Sequence, residues 1–276
     1  MTTTNPILVI GASGKVGSRI VARLQQQNIP VRAASRRTSP AFDWEDQASW
    51  APAMAGADVA FVAFVPDLAI KGAPETIRAF AASAVTAGVK RVVLLSGRGE
   101  ANARLSEQGM IASGLGTTIV RASWFAQNFS EGIMLPSVLA GLVALPAGQR
   151  REPFVDVADI ADVAVAALID ERHAGEIYEV TGPRLLTFAE AAAAIGAASG
   201  HRVDYAPLSL DDFHAALLPE IGPDHAEFLT RLCEEVFDGR NESLGDGVQR
   251  ALGRQPRDFA DYCAEVAATG LWRQAA

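Results

Sequence analysis

An apolar run, Ile7 to Ile10, is followed at once by Gly11-Ala12-Ser13-Gly14-Lys15-Val16-Gly17 and then by a helical pattern reaching Gln27. This junction constrains the chain more than any other feature, because three glycines at three-residue spacing suit a strand that turns sharply into a helix. The first glycine permits the turn, the second lets backbone approach a diphosphate, and the third allows close helix packing. The N–H groups at the helix start face any bound phosphate. The G-x-x-G-x-x-G spacing differs from the commonest dinucleotide fingerprint, and a plain strand-to-helix turn is the competing reading.

The same alternation continues down the chain. Apolar runs at Val31 to Ala34, Val59 to Val65, Val92 to Ser96, Thr117 to Arg121 and Ile177 to Val180 read as strands. Helical patterns lie between them at Lys15 to Gln27, Gln47 to Ala55, Pro74 to Ala87, Ala101 to Ser113 and Val157 to Ile169. Strands alternating with helices predict a parallel α/β sheet. Beyond Pro183 the pattern turns mainly helical. Thr187 and Glu190 have capping-box spacing, Val203 to Tyr205 reads as a lone strand, and helices begin near Ser209 and Asp224. The expected fold is a Rossmann-like, doubly wound parallel sheet over residues 1–182 with a smaller, mainly helical substrate lobe over 183–276. A chain of 276 residues with 49% hydrophobic composition supports such a core.

Where a dinucleotide fold selects its cofactor, at the end of the second strand, an acidic residue would bond the ribose 2′-hydroxyl. This chain has Ser35-Arg36-Arg37 there. Two guanidiniums and a hydroxyl suit a 2′-phosphate, so NADPH is expected over NADH; two solvated surface arginines are the bland alternative.

A formal charge of −8 argues against nucleic acid as a partner of the chain by itself and against an anionic membrane surface. The apolar stretch Ile133 to Ala147 is broken by Pro136 and Pro146 and is too short to span a bilayer. The polar start, Met1 to Pro6, leads into too brief an apolar run for a signal peptide. A cytoplasmic monomer or homodimer with a small-molecule substrate is expected. Cys233 and Cys263 read as buried small residues. His173, His201, His214 and His225 lack metal-ligand spacing, so no metal is expected.

The only lysines are Lys15, Lys71 and Lys90, and the only tyrosines are Tyr178, Tyr205 and Tyr262. Every lysine precedes every tyrosine. The Tyr-x-x-x-Lys pair that donates the proton in short-chain dehydrogenases is therefore absent, which also removes a sugar-nucleotide epimerase of the extended type.

Beyond the glycine loop, the chain resembles the NmrA-like atypical short-chain dehydrogenase/reductase family. The resemblance rests on Phe42-Asp43-Trp44, Val92 to Ser96, Ser113-Gly114-Leu115, Arg121 to Phe129 and Pro153 to Ala161. Within that family it looks most like the ergot alkaloid biosynthesis reductase branch, through Phe42-Asp43-Trp44, Trp124 to Glu131 and Gly182 to Thr187. The resemblance implies phosphate contacts at Gly11, Ser13, Gly14, Lys15 and Val16, and an adenine site beside Asp43 and Trp44. It implies a ribose and nicotinamide side along Ala63, Phe64 and Val65, with Ser96 at the same crevice. Trp124, Phe125 and Asn128 would frame the nicotinamide and substrate. Trp124, Phe125 and Phe129 read equally well as core aromatics, and Asn128 as a helix cap. Asp156 and Asp159 read as residues of a helix start rather than catalytic acids.

No catalytic residue carries over, because the helix after the Val92 strand has no lysine. Hydride transfer without a strong protein acid suits acceptors that are cationic or yield a stabilised anion, such as iminium ions, triarylmethane cations and quinones. The expected function is an NADPH-dependent reductase of such an acceptor. The alternative is a non-catalytic NADP(H)-sensing regulator.

Overall fold

The computed structural model describes residues 5–273; Met1 to Thr4, in the polar start, lie outside them. In chain order the elements are β1 Ile7–Ile10, α1 Lys15–Gln26, β2 Val31–Ala34, α2 Trp50–Met54, β3 Val59–Val62, α3 Ala73–Thr86, β4 Arg91–Gly97, α4 Ala101–Ile111 and β5 Gly116–Ala122. There follow α5 Leu135–Leu139, β6 Leu142–Leu145, β7 Arg151–Glu152, α6 Val157–Ile169, β8 Ile177–Val180, β9 Leu186–Thr187 and α7 Phe188–Ser199. The last are β10 Asp204–Pro207, α8 Leu210–Ile221, α9 Pro223–Val236, α10 Gly247–Leu252 and α11 Phe259–Ala268.

The chain forms two compact units. One holds the described residues through Ala122 together with Val157–Val180 and Asp246–Arg254; the other holds Ser123–Asp156, Thr181–Gly245 and the described residues from Gln255. Both are discontinuous in sequence, whereas the division expected at 182/183 is contiguous.

The first unit is the Rossmann-like sheet. Six strands in the order β2-β1-β3-β4-β5-β8 are all parallel. Every residue of β1 and β3 is buried, which explains why these strands are apolar throughout rather than alternating. On one face Leu8, Ile10, Ala60, Val62, Leu94 and Ile119 join a core with Trp50, Ile77, Phe80 and Met110 from α2, α3 and α4. Alternate residues such as Val9, Phe61 and Val93 point to the opposite face. Arg23 of α1 reaches Asp162 of α6 at 2.6 Å, and Arg254 reaches Asp159 at 2.7 Å and Asp162 at 2.6 Å. Asp159 is thus part of an ion-paired helix start.

In sheet order β1 lies between β2 and β3, so the loops leaving β1 and β3 part at the carboxyl end, where open α/β sheets bind ligands. The strand expected over Val59 to Val65 stops at Val62. The indole Nε1 of Trp44 takes the carbonyl of Ala63 at 3.2 Å, which a longer ladder would need.

The second unit packs α5, α7, α8, α9 and α11 with two small sheets, β10 parallel to β6 and β7 antiparallel to β9. Phe129, Phe154, Phe188 and Trp272 are fully buried in its core. The Thr187/Glu190 capping box forms as expected. The Ile133 to Ala147 stretch divides into α5, with Pro136 in its first turn, and β6.

Candidate active site

The glycine junction is built by backbone constraints. Gly11 has φ +80°, in the left-handed region that glycine enters without strain. Its N–H and that of Ala12 donate to the carbonyl of Ala34 at 3.2 and 3.4 Å, while Gly14 N–H donates to Gly11 O at 3.0 Å. A Cβ on Gly11 would lie 3.0 Å from the Cβ of Ala63, so this turn touches the end of β3. A Cβ on Gly17 would lie 2.2 Å from the carbonyl oxygen of Gly11; the third glycine serves packing of α1 on the turn.

Gly14 is the N-cap of α1 and has no side chain to cap the helix. Its first turn holds no acid, Ser13 and Gly14 are exposed, and Lys15 is partly so. An uncapped helix start on an exposed turn, with a positive dipole end and a lysine, fits a diphosphate.

At the end of β2, Ser35 N–H donates to Thr38 Oγ1 at 2.9 Å, and Arg37 N–H to Ser35 Oγ at 3.2 Å. Thr38 Oγ1 also donates to Ser35 O at 2.8 Å, so Thr38, which no motif marks, shapes this turn. Arg36 and Arg37 are exposed and neither is ion-paired among the described residues.

Asp43 works on local backbone: its N–H bonds Ser49 Oγ at 2.9 Å, its Oδ1 accepts from Glu45 N–H at 3.1 Å, and its carbonyl accepts from Trp50 Nε1 at 2.8 Å. Trp44, held on Ala63 O, packs against Phe64 at 4.8 Å, Phe42 at 4.9 Å and Phe80 at 5.2 Å. The glycine turn, Trp44, Ala63 and Phe64 are therefore contiguous, with Val65 exposed just beyond.

Ser96 is buried and turned away from solvent, its Oγ donating to Glu107 Oε1 at 2.7 Å. Arg121 makes a bidentate pair with that carboxylate, 2.9 Å from Nε and 2.6 Å from Nη2, and extends Nη1 to Glu179 at 2.8 Å. Arg98 Nε joins Glu179 at 3.2 Å. Burial pushes the Glu179 carboxyl up, but Arg121 and Arg98 outweigh it and hold it below the ordinary range.

In the second unit, Trp124 stands perpendicular to Phe188 at 5.4 Å and lies 5.1 Å from Phe237; its Nε1 is buried with no hydrogen-bond partner among the described residues. Phe125 bridges to Val155, and the partly buried Asn128 donates its N–H to Phe125 O at 3.1 Å. Phe129 is core, and Asp156 accepts from Gln127 at 2.7 Å.

None of the tyrosine hydroxyls is idle. Tyr178 bonds His173 at 2.7 Å, Tyr205 donates to Leu145 O at 3.0 Å and Tyr262 to Ser130 Oγ at 2.8 Å. Burial raises all three above the ordinary phenol range. Burial also pushes the Cys233 and Cys263 thiols up to about 12, which makes both unreactive core residues.

The family model for NAD(P)H-binding proteins matches residues 11–171. The chain is 32% identical to an uncharacterized oxidoreductase, YesF, of Bacillus subtilis over 99% of this chain and 100% of that one. It is 31% identical to an NAD(P)H azoreductase of Xenophilus azovorans, covering 96% and 99%, and 30% identical to an agroclavine dehydrogenase of Claviceps fusiformis, covering 94% and 96%. An NADPH-dependent quinone oxidoreductase of Escherichia coli, solved with NADPH, has the same fold at TM-score 0.80 and 21% identity, over 94% of this chain and 99% of that one. A glycine turn under an uncapped helix, a parallel sheet and these full-length matches lead to one conclusion: the chain belongs to the NAD(P)H-binding family, among the NmrA-like atypical short-chain dehydrogenases/reductases, and is an oxidoreductase.

Proposed function

We propose that this protein is an NADPH-dependent reductase that passes hydride to a small, flat or cationic organic acceptor, such as a quinone or an iminium ion. The observation that carries the cofactor choice is the end of β2, where Ser35 and the exposed Arg36 and Arg37 stand without a neighbouring ion pair. Bound NADPH would supply the hydride. The start of α1, with Gly11, Ser13, Gly14, Lys15 and Val16, would hold the diphosphate, and Ser35 and Arg36 the 2′-phosphate. Asp43 and Trp44 would flank the adenine, and Ala63, Phe64 and Val65 the ribose side. Ser96 would act through the buried Glu107–Arg121 pair that shapes the end of β4. In the second unit, Trp124, Phe125 and Asn128 would line the acceptor's place.

An azoreductase and an agroclavine dehydrogenase among the relatives support reduction of an organic molecule. The engaged tyrosines support an acceptor that does not take its proton from a phenol.

Arg36→Asp tests the cofactor reading. A charge-assisted hydrogen bond contributes about 1.5–3 kcal/mol, so NADPH should bind about 10- to 100-fold more weakly, with NADH affinity held or improved. Titration of both cofactors by fluorescence or calorimetry reads the ratio; an unchanged NADPH-to-NADH preference would sink this assignment.

A further inference from the structure

The turn that carries Arg36 and Arg37 is closed by one side chain. Thr38 Oγ1 accepts the Ser35 N–H at 2.9 Å and donates to the Ser35 carbonyl at 2.8 Å, so a single hydroxyl engages both backbone groups of Ser35. The carbonyl of Pro40, at 3.0 Å, is a second acceptor within reach of the same proton. Thr38 N–H adds a bond to Ser35 O at 3.2 Å, and Phe42 N–H another at 3.0 Å. Arg36 and Arg37 are the residues enclosed.

This turn is anchored on both sides. The carbonyl of Ala34, the last residue of β2, accepts from Gly11 and Ala12 N–H at 3.2 and 3.4 Å. The next carbonyl, that of Ser35, takes Thr38 and Phe42, and Phe42 is 3% exposed among Trp44, Trp50 and Phe80 in the core of the first unit. Consecutive carbonyls therefore hold the glycine turn and the arginine turn to one another. A dinucleotide that places its diphosphate on one and its 2′-phosphate on the other needs their separation fixed.

Within the turn, Ser35 Oγ accepts the Arg37 N–H at 3.2 Å, and its own proton goes to no group among the described residues. A hydroxyl has one proton and two lone pairs, so this bond leaves the Ser35 proton for a ligand oxygen. Arg36 is exposed, and ordering so long a side chain on a phosphate costs rotamer entropy. A fixed backbone under it keeps that cost from growing. Branching at Cβ restricts the Thr38 side chain and holds its hydroxyl in place on Ser35.

We propose that Thr38 is a positioning residue for NADPH selection, fixing the backbone from which Ser35 and Arg36 reach the 2′-phosphate; the inference rests on the cofactor reading above. Without the hydroxyl, the partly buried Ser35 loses the acceptor of its N–H and one of the donors to its carbonyl. The turn then relaxes and the 2′-phosphate is gripped less well. NADH has no 2′-phosphate and does not register where Arg36 stands.

The experiment titrates NADPH and NADH, by fluorescence or calorimetry, into wild type, Thr38→Val and Thr38→Ser. Valine keeps the branched shape and drops the hydroxyl; serine keeps the hydroxyl. In Thr38→Val the NADPH affinity should fall about fivefold to tenfold relative to NADH, the scale of one lost hydrogen bond. Thr38→Ser should restore the wild-type ratio. Adenosine 2′,5′-bisphosphate against adenosine 5′-monophosphate should show the same shift, since these probes differ only in the 2′-phosphate. In an Arg36→Ala background Thr38→Val should shift the ratio less than it does alone, because a residue acting through Arg36 then has less to position.

Equal weakening of both cofactors and both adenosine probes would make Thr38 a structural residue only and overturn the proposal. An unchanged ratio in Thr38→Val, a serine variant as poor as the valine one, or a fully additive shift in the Arg36→Ala background would overturn it too. Thr38→Ala, which also lacks the hydroxyl, must give the same shift and stands in if the valine protein does not fold. If Arg36→Asp itself leaves the NADPH-to-NADH preference unchanged, the cofactor reading fails and this proposal with it. If Arg36→Asp shifts the preference and Thr38→Val does not, the proposal alone fails.

Discussion

Gly17→Ala should cost about 1–3 kcal/mol, the usual scale of overpacking, and remove measurable NADPH binding. The new methyl would stand 2.2 Å from the carbonyl oxygen of Gly11, 2.8 Å from its carbonyl carbon and 3.0 Å from the Cα of Ala12. All three are backbone atoms of the turn, so no side chain can swing away to make room. Helix α1 must lift from β1, and the N–H groups at its start lose their place over the phosphate site. Gly56→Ala is the control. Gly56 has a positive φ, which Gly17 does not, but a Cβ there meets nothing within 4 Å, so this variant should be only strained locally and keep cofactor binding. Denaturant unfolding and NADPH titration on both variants separate packing at the turn from glycine loss in general.

Glu107→Leu should be the most destabilising single change, at about 3–5 kcal/mol, because it strips the partner from a buried guanidinium. Arg121 is 5% exposed and Glu107 2%, and their bidentate contact joins β5 to α4 with Ser96 as a third member. Replacing both residues together, as Glu107→Leu with Arg121→Met, should recover most of that loss, since no buried charge is then left unpaired. Glu179, at the outer end of the same network, has a depressed carboxyl pKa. Its contribution is present above the ordinary carboxylate value and is lost as pH falls through the folded one. Glu179→Gln should therefore flatten the acid side of the stability curve, as followed by the denaturation midpoint against pH.

The parallel sheet was legible because strands buried on both faces are apolar along their whole length. Ile7–Ile10 and Val59–Val62 are such strands, and the edge strands Val31–Ala34 and Ile177–Val180, which carry Arg32 and Glu179, still begin and end where their runs do. In the second unit the strand read alone at Val203 to Tyr205 is β10, Asp204–Pro207, and it pairs with β6, whereas the shortest strands had no such signal. Arg151–Glu152 and Leu186–Thr187 are two residues each and exist only because they pair with each other, a relation between distant segments that no local pattern records. The helix read over Gln47 to Ala55 is a 3-10 turn, Gln47–Ser49, running into α2, with Asp46 capping the turn.

The backbone of the glycine turn and the exposed charge at Arg36 were legible because both are local features of the residues themselves. Ser96 lies on the strand where it was read, but its hydroxyl is spent on Glu107, an interaction set by α4 packing.

Anaerobic mixing of the NADPH-loaded protein with a panel of quinones, iminium compounds and cationic dyes tests hydride transfer from NADPH most directly. The nicotinamide absorbance should stay constant without acceptor and decay, one NADPH per two-electron acceptor reduced, with at least one member of the panel. Tightly bound NADPH that no member oxidises, with partner binding that changes between the oxidised and reduced cofactor, would contradict the claim and describe a sensor instead.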